Sequence, residues 1–399
     1  MARWTTFEEF LAEARSVDND RGRQDLVVEL LRDRTEWPWI TGNRATFVYS
    51  RMGTKSAAVN LDTIERDPPF EPMTNLPGTS LWYVTLKFAP DDLLDYLLAI
   101  NDPMTPLAQE KDIRSRLEHW HPDQRNPLRM RTPEMDVSVL RMPYARPFPD
   151  WSAMAMQNVP RGNVVTHTID SVNLNMQGRK VWVYAPYGYA VTDMAYPLLI
   201  MQDGQWNAGP LQVASIVDVL AKHQHVQPMV VAMVQSAGPR DRENEYIGND
   251  NYSAFVINEL LPFLTNTYRI RETDFGIGGV AAGAVAAAHV ALAHADVFTR
   301  LIMISPPLGR GRYEEQLRQY NERFAQAMQL PKRIFQSVGR YEMGSRFYEP
   351  AQRLKTILEQ RDDVAYKYVE IGSGHGLVNF RAVMPEALSW AFPGVAAKV

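Results

Sequence analysis

The chain has no cysteine among its 399 residues, which excludes disulfides, thiolate catalysis and cysteine-ligated metal. That absence fits a cytoplasmic protein. There is no basic block either. The 42 Lys and Arg stand against 46 Asp and Glu, a net charge of −4, which argues against nucleic acid or an anionic membrane as partner. No apolar run approaches the roughly 18 residues a membrane-spanning helix needs. The opening stretch, residues 1–16, is amphipathic and acidic and lacks the apolar centre of a signal peptide. No internal repeat or low-complexity tract is present. What is there is ordinary globular composition, 45% hydrophobic and 22% charged. The length allows two domains, or one large elaborated one, with a substantial core.

The texture changes along the chain. Residues 5–16 and 22–33 have the apolar spacing of short helices. From about Arg44, short alternating or β-branched runs are punctuated by Pro, Gly and Asn: Ala45–Tyr49, Ala57–Leu61, Leu81–Phe88 and Asp95–Ile100. These predict a small all-β, sandwich-like accessory domain over 1–145, with leading helices. A Pro- and Arg-rich stretch around Met142–Pro149 predicts a linker, taken as 146–158. Beyond it, apolar strands alternate with helical patterns to the end of the chain. Strands are expected at 163–171, 179–185, 197–202, 228–235, 274–279, 300–304, 332–338 and 364–370. Helices are expected at 209–222, 252–267, 282–294, 313–328, 347–360 and 379–391. This predicts an α/β domain over 159–399, a mostly parallel sheet with helices on both faces. Ligands of such sheets bind at the carboxyl ends of the strands.

One strand end reads Gly279-Val-Ala-Ala-Gly283 and runs straight into an Ala-rich helix. This is the layout of the G-x-S-x-G nucleophile elbow of the α/β-hydrolase fold, in which glycines permit a strained turn and close helix packing. The spacing is kept, but Ala281 stands where the serine belongs. A methyl group cannot attack a carbonyl. The competing reading is a Gly-rich nucleotide-binding turn, since Gly276-x-Gly278-x-x-Ala281 loosely resembles a dinucleotide fingerprint. The motif's late position, and the lack of an acidic residue on the following strand, weigh against that.

Other strand ends supply what an esterase would need. His375, in the Gly-rich segment Gly372-Ser-Gly-His-Gly376, follows the last expected strand and is the candidate general base. Glu342 follows strand 332–338 and is the candidate acid that orients it. Asp362 and Asp363 fall at the wrong edge of the sheet. The N–H of Ala282, with that of Gly204 or Gln205, is the expected oxyanion hole. Asp203 is expected to brace that loop. Trp206 and Arg242 are candidate substrate contacts, and Arg161, Arg240, Arg340 and Arg346 could line a cleft or lie on the surface. His119-x-His121 has no third ligand in reach, so no metal is expected. The chemistry calls for no cofactor.

With those residues in view, 159–392 resembles the esterase D-type hydrolase domain of enterochelin esterases. The similar segments are Val159–Asn163, Arg179–Pro186, Tyr196–Gly204, Arg242–Tyr246 with Glu259–Pro262, Ile277–Phe298 and Gly374–Arg381. The family's serine falls on Ala281. Departures are Gly376 and Leu377, where the family often has Asp and Trp, and Ala284, where a second Gly is common. The N-terminal part resembles the family's accessory β-sandwich more faintly, at Thr46–Tyr49, Pro72-Met73, Leu76–Tyr83, Asp95-Tyr96 and Asn126-Pro127. The resemblance implies a serine hydrolase of small-molecule esters or lactones, such as a catecholate siderophore trilactone, and by analogy an accessory domain that helps wall the substrate cleft, with a purely structural cap as the alternative. Alternatives are a carboxylesterase for another ester, lactone, depsipeptide or polyester oligomer, and a ligand-binding pseudoenzyme. Because the histidine and acid remain, the alanine reads as a deliberate Ser→Ala replacement that leaves the chain inactive.

Overall fold

Thr6 and Glu9 cap the first helix reciprocally. The Glu9 N–H donates to Thr6 Oγ1 at 3.2 Å, and the Thr6 N–H donates to Glu9 Oε2 at 3.3 Å. The helix, Phe7–Ser16, buries Phe7, Phe10 and Ala14. A second helix, Asp20–Asp33, starts at Asn19, whose side chain accepts from the Gly22 N–H. A computed structural model describes residues 3–133 and 135–395. The chain divides into two units, residues 1–146 with 372–378, and residues 147–371 with 379–399.

Among the described residues, ten short strands follow in the first unit: β1 (Trp39–Thr41), β2 (Arg44–Ser50), β3 (Ala57–Asn60), β4 (Phe70–Pro72), β5 (Thr74–Asn75), β6 (Leu81–Lys87), β7 (Leu93–Ile100), β8 (Trp120–His121), β9 (Arg129–Arg131) and β10 (Asp136–Arg141). They form two antiparallel sheets. One has the order β1-β2-β6-β5; the other has the order β4-β3-β7-β10-β9, with β8 on β7. Phe47 of the first sheet meets Tyr96 of the second edge-on, with ring centroids 4.9 Å apart. The first helix contributes Phe7 and Phe10 to an aromatic cluster with Trp4, Trp37 and Trp39.

The second unit holds β11 (Asn163–Ser171), β12 (Met176–Ala185), β13 (Tyr196–Gln202), β14 (Val230–Val234), β15 (Ile270–Val280), β16 (Phe298–Ile304), β17 (Arg333–Gly339) and β18 (Ala365–Ile371). Their order is β11-β12-β14-β13-β15-β16-β17-β18. β11, β12 and β14 pair antiparallel, and every other pair is parallel. β13 and β14 are buried at every residue, as strands covered on both faces must be. The fold is an α/β hydrolase preceded by an all-β region. The stretch expected as a linker contains a helix, Trp151–Met156, started by Asp150, which accepts from the N–H groups of Ser152 and Ala153. Among the described residues no helix is long and apolar enough to cross a membrane.

Candidate active site

β15 delivers Ala281 into the turn before the helix Ala282–Ala293. Ala281 has φ 51° and ψ −126°, a conformation that L-residues rarely hold without being forced. The neighbouring glycines leave room for it. A side chain on Gly279 would lie 2.3 Å from the carbonyl of Gly283, and one on Gly283 would lie 2.5 Å from Asp203 Oδ2. The Ala281 N–H donates to the Ile304 carbonyl at 2.9 Å and ties the turn to β16. Behind it, Ala282 through Ala291 are all buried, which explains why the helix is built of small residues. The first N–H groups of that helix have no intrahelical partner and carry the positive end of its dipole.

The loop after the adjacent strand β13 is held just as firmly. Asp203 sits in the left-handed region at φ 62° and opens a short helix, Gly204–Asn207. Gly204 cannot be larger, because a side chain there would meet the Met233 carbonyl at 2.3 Å. Gln205 Nε2 donates to Ser236 Oγ at 2.7 Å, and the Ser236 N–H donates to Gln205 Oε1 at 3.3 Å, which pins the loop to the end of β14.

Arg242 joins the two loops. Its Nε and Nη2 donate to the two Asp203 oxygens, each at 2.6 Å, and Nη2 also reaches the Val280 carbonyl at 3.2 Å. Burial opposes its charge, but the Asp203 bonds outweigh that and hold the guanidinium above its ordinary pKa. Arg242, expected as a substrate contact, spends its Nε and Nη2 on bracing these two loops. Trp206 is half-buried with the Arg242 guanidinium 5.0 Å from its ring, so it packs on the same brace. Of the other arginines, Arg161 and Arg240 are exposed, while Arg340 and Arg346 pair with Glu370 and Glu243.

Glu342 is buried in a turn at the carboxyl end of β17. The Gly339 N–H donates to its Oε2 at 2.9 Å, and its own N–H donates to the Gly339 carbonyl at 3.2 Å. Asp362 and Asp363 are exposed just before β18 begins. His375 is exposed four residues past the end of β18, in the segment that belongs to the β unit. Among the described residues no group of three His, Cys, Asp or Glu is arranged to hold a metal. The Asp203–Arg242 pair was missed by sequence reasoning as a pair. Its members are 39 residues apart, and although each was singled out separately, nothing local joined them.

Parallel order puts the ends of β13, β15 and β17 on one edge of the sheet. A family model described as "Putative esterase" matches residues 172–390, more than half of the chain. The chain belongs to this esterase family. Among solved structures, the ferric enterobactin esterase of Salmonella typhimurium is similar to this family member at 17% identity and TM-score 0.73, over 91% of this chain and 98% of that one. The enterobactin esterase of Shigella flexneri, solved in the presence of enterobactin, is similar at 19% identity and TM-score 0.70, over 89% and 95%. A ferulic acid esterase is similar at 16% identity and TM-score 0.50, over 58% of this esterase and 98% of that one. At such identities the likeness is one of fold. No curated protein matches this esterase in sequence.

Proposed function

We propose that this esterase is an enterochelin-esterase-like serine hydrolase whose nucleophile has been replaced by Ala281, so that it binds an ester or lactone without cutting it. One observation carries the reading: Ala281 holds a strained backbone between two obligatory glycines at the start of a buried helix. An alanine needs no such geometry, whereas a serine there would have its hydroxyl raised at the positive end of the helix. The buried Glu342 and the histidine beyond β18 support the same reading.

In the Ala281→Ser form, His375 takes the hydroxyl proton and the oxygen attacks the ester carbonyl. The N–H of Ala282, with that of Gly204 or Gln205, holds the tetrahedral oxyanion. Collapse expels the alcohol, which receives the proton from His375. Water, activated by His375 again, then releases the acyl group. Glu342 orients the imidazole and stabilises its cation. The substrate we propose is a catecholate trilactone of the enterobactin kind, with iron as its cargo; the likeness to the two enterobactin esterases supports this. The cysteine-free sequence supports a cytoplasmic setting.

The test is hydrolysis of a p-nitrophenyl acyl ester, and of the trilactone, by the chain as it stands and by Ala281→Ser. The serine form should gain about 10⁶-fold in kcat, the scale of losing a triad nucleophile. That gain should vanish on adding His375→Ala. If the serine form turns over neither substrate, the hydrolytic reading is wrong.

A further inference from the structure

Residues 372–378 belong to the β unit, although β18 of the other unit delivers them. The segment Gly372-Ser-Gly-His-Gly376 has glycine at every second position, and each glycine faces a carboxylate of the β unit. A side chain on Gly372 would lie 2.6 Å from Asp92 Oδ1, and one on Gly374 would lie 1.8 Å from Asp62 Oδ2. At Gly372 the backbone of Asp91 and Asp92 is also close, at 3.1 Å, whereas at Gly374 it is the Asp62 side chain that fills the space. On Gly376 the nearest atom would be Asp95 Oδ1, at 3.4 Å, in ordinary contact. The Leu93 N–H, at the start of β7, donates to the Gly372 carbonyl at 2.7 Å. Asp92 is itself fixed, because its Oδ2 accepts from the Ala89 N–H at 2.8 Å. The outcome is a loop whose Gly372, Ser373 and Gly374 are buried while His375 is exposed.

Three glycines in five residues would leave such a loop with large backbone freedom. A general base needs the opposite, since misplacement by about 1 Å costs as much as 10²-fold in rate. β18 ends before the loop, so the restraint has to come from elsewhere, and the carboxylates of the β unit lie along the loop. Desolvation by burial also raises the pKa of Asp95 above its ordinary value.

We propose that Asp62 and Asp95 are positioning residues for His375, holding the glycine loop that carries it. This rests on the reading of His375 as that base. Asp62 is exposed, so its removal leaves the β-unit core intact.

The experiment makes Asp62→Ala, Asp95→Ala and Asp62→Asn in the Ala281→Ser chain, with the exposed Asp363→Ala as control. It reads kcat and KM on a p-nitrophenyl ester, and amide hydrogen exchange of the peptide spanning 372–377. Asp62→Ala and Asp95→Ala should each lower kcat by about 10- to 100-fold, with KM within about twofold, and speed exchange of that peptide. Asp62→Asn should recover part of the loss, and Asp363→Ala should change nothing. Unchanged kcat in both alanine variants overturns the proposal, and so does faster exchange without loss of kcat. If Asp62→Ala does not fold, Asp95→Ala decides alone. Should Ala281→Ser itself be inert, the esterase reading fails, and loop exchange in the Ala281 chain still judges the grip: unchanged exchange on Asp62→Ala overturns it.

Discussion

Asp203 has almost no access to water, at 1% side-chain exposure, and its charge is tolerated because Arg242 meets both of its oxygens. The same guanidinium holds the carbonyl of Val280, the residue before the strained Ala281. Removing it would strand a buried carboxylate and free the turn at once. Arg242→Met should therefore cost about 3–5 kcal/mol of stability, measured as a shifted midpoint in denaturant. In the Ala281→Ser background it should also reduce turnover. A loss within about 0.5 kcal/mol would mean that solvent reaches Asp203.

The helix Ala282–Ala293 is nearly featureless, and its single polar anchor is His289. Its Nε2 faces Asp250 Oδ1 at 2.9 Å, while Nδ1 lies 3.0 Å from both the Tyr320 hydroxyl and Arg323 Nη1. A guanidinium only donates, so Nδ1 accepts and the proton sits on Nε2, toward Asp250. Burial first, then the Arg323 charge, lowers the His289 pKa below its ordinary value of 6.5. The unfolded chain then binds a proton near pH 6.5 that the folded chain refuses. The contribution to stability is full above that pH and declines as pH falls through it toward the folded pKa. The melting temperature should drop between about pH 7 and pH 5, and His289→Gln should flatten that part of the profile. An equal slope in both proteins would assign the acid sensitivity to other groups.

The parallel sheet was legible at this scale because strands such as β14 are apolar from end to end. The helix after the elbow was legible because its spacing and glycines repeat a known turn. The two-residue strands β5 and β8 are too short to show a period of two. The single-turn helices Gly204–Asn207 and Arg242–Tyr246 carry no periodicity either. Prolines around Trp151–Met156 masked a helix whose cap, Asp150, was in plain view. Among the candidate residues, Ala281 and Glu342 were picked out by spacing and strand ends. The Asp203–Arg242 bonds, and the aspartates along the glycine loop, depend on contacts between residues remote in sequence, which local pattern cannot report.

At the scale of the whole molecule, the chain passes between its two units three times, at 146/147, 371/372 and 378/379. Tyr144, 81% exposed just before the first passage, offers chymotrypsin an open site. A cut there would leave residues 1–144 and the segment 372–378 on different fragments of one packed unit. The nicked protein should therefore elute as a single species in size-exclusion chromatography and separate only in denaturant. Separation in native buffer would show that the segment's packing is too weak to hold the pieces.

That division also limits how such a protein can be inherited. A recombination event at the 146/147 junction would import a foreign β unit that never met this glycine loop. Its carboxylates would not lie where Gly372, Gly374 and Gly376 leave room for them. Functional chimeras should then require a second crossover that carries residues 372–378 along with 1–146. A lineage that changed one part would have to change the other in step.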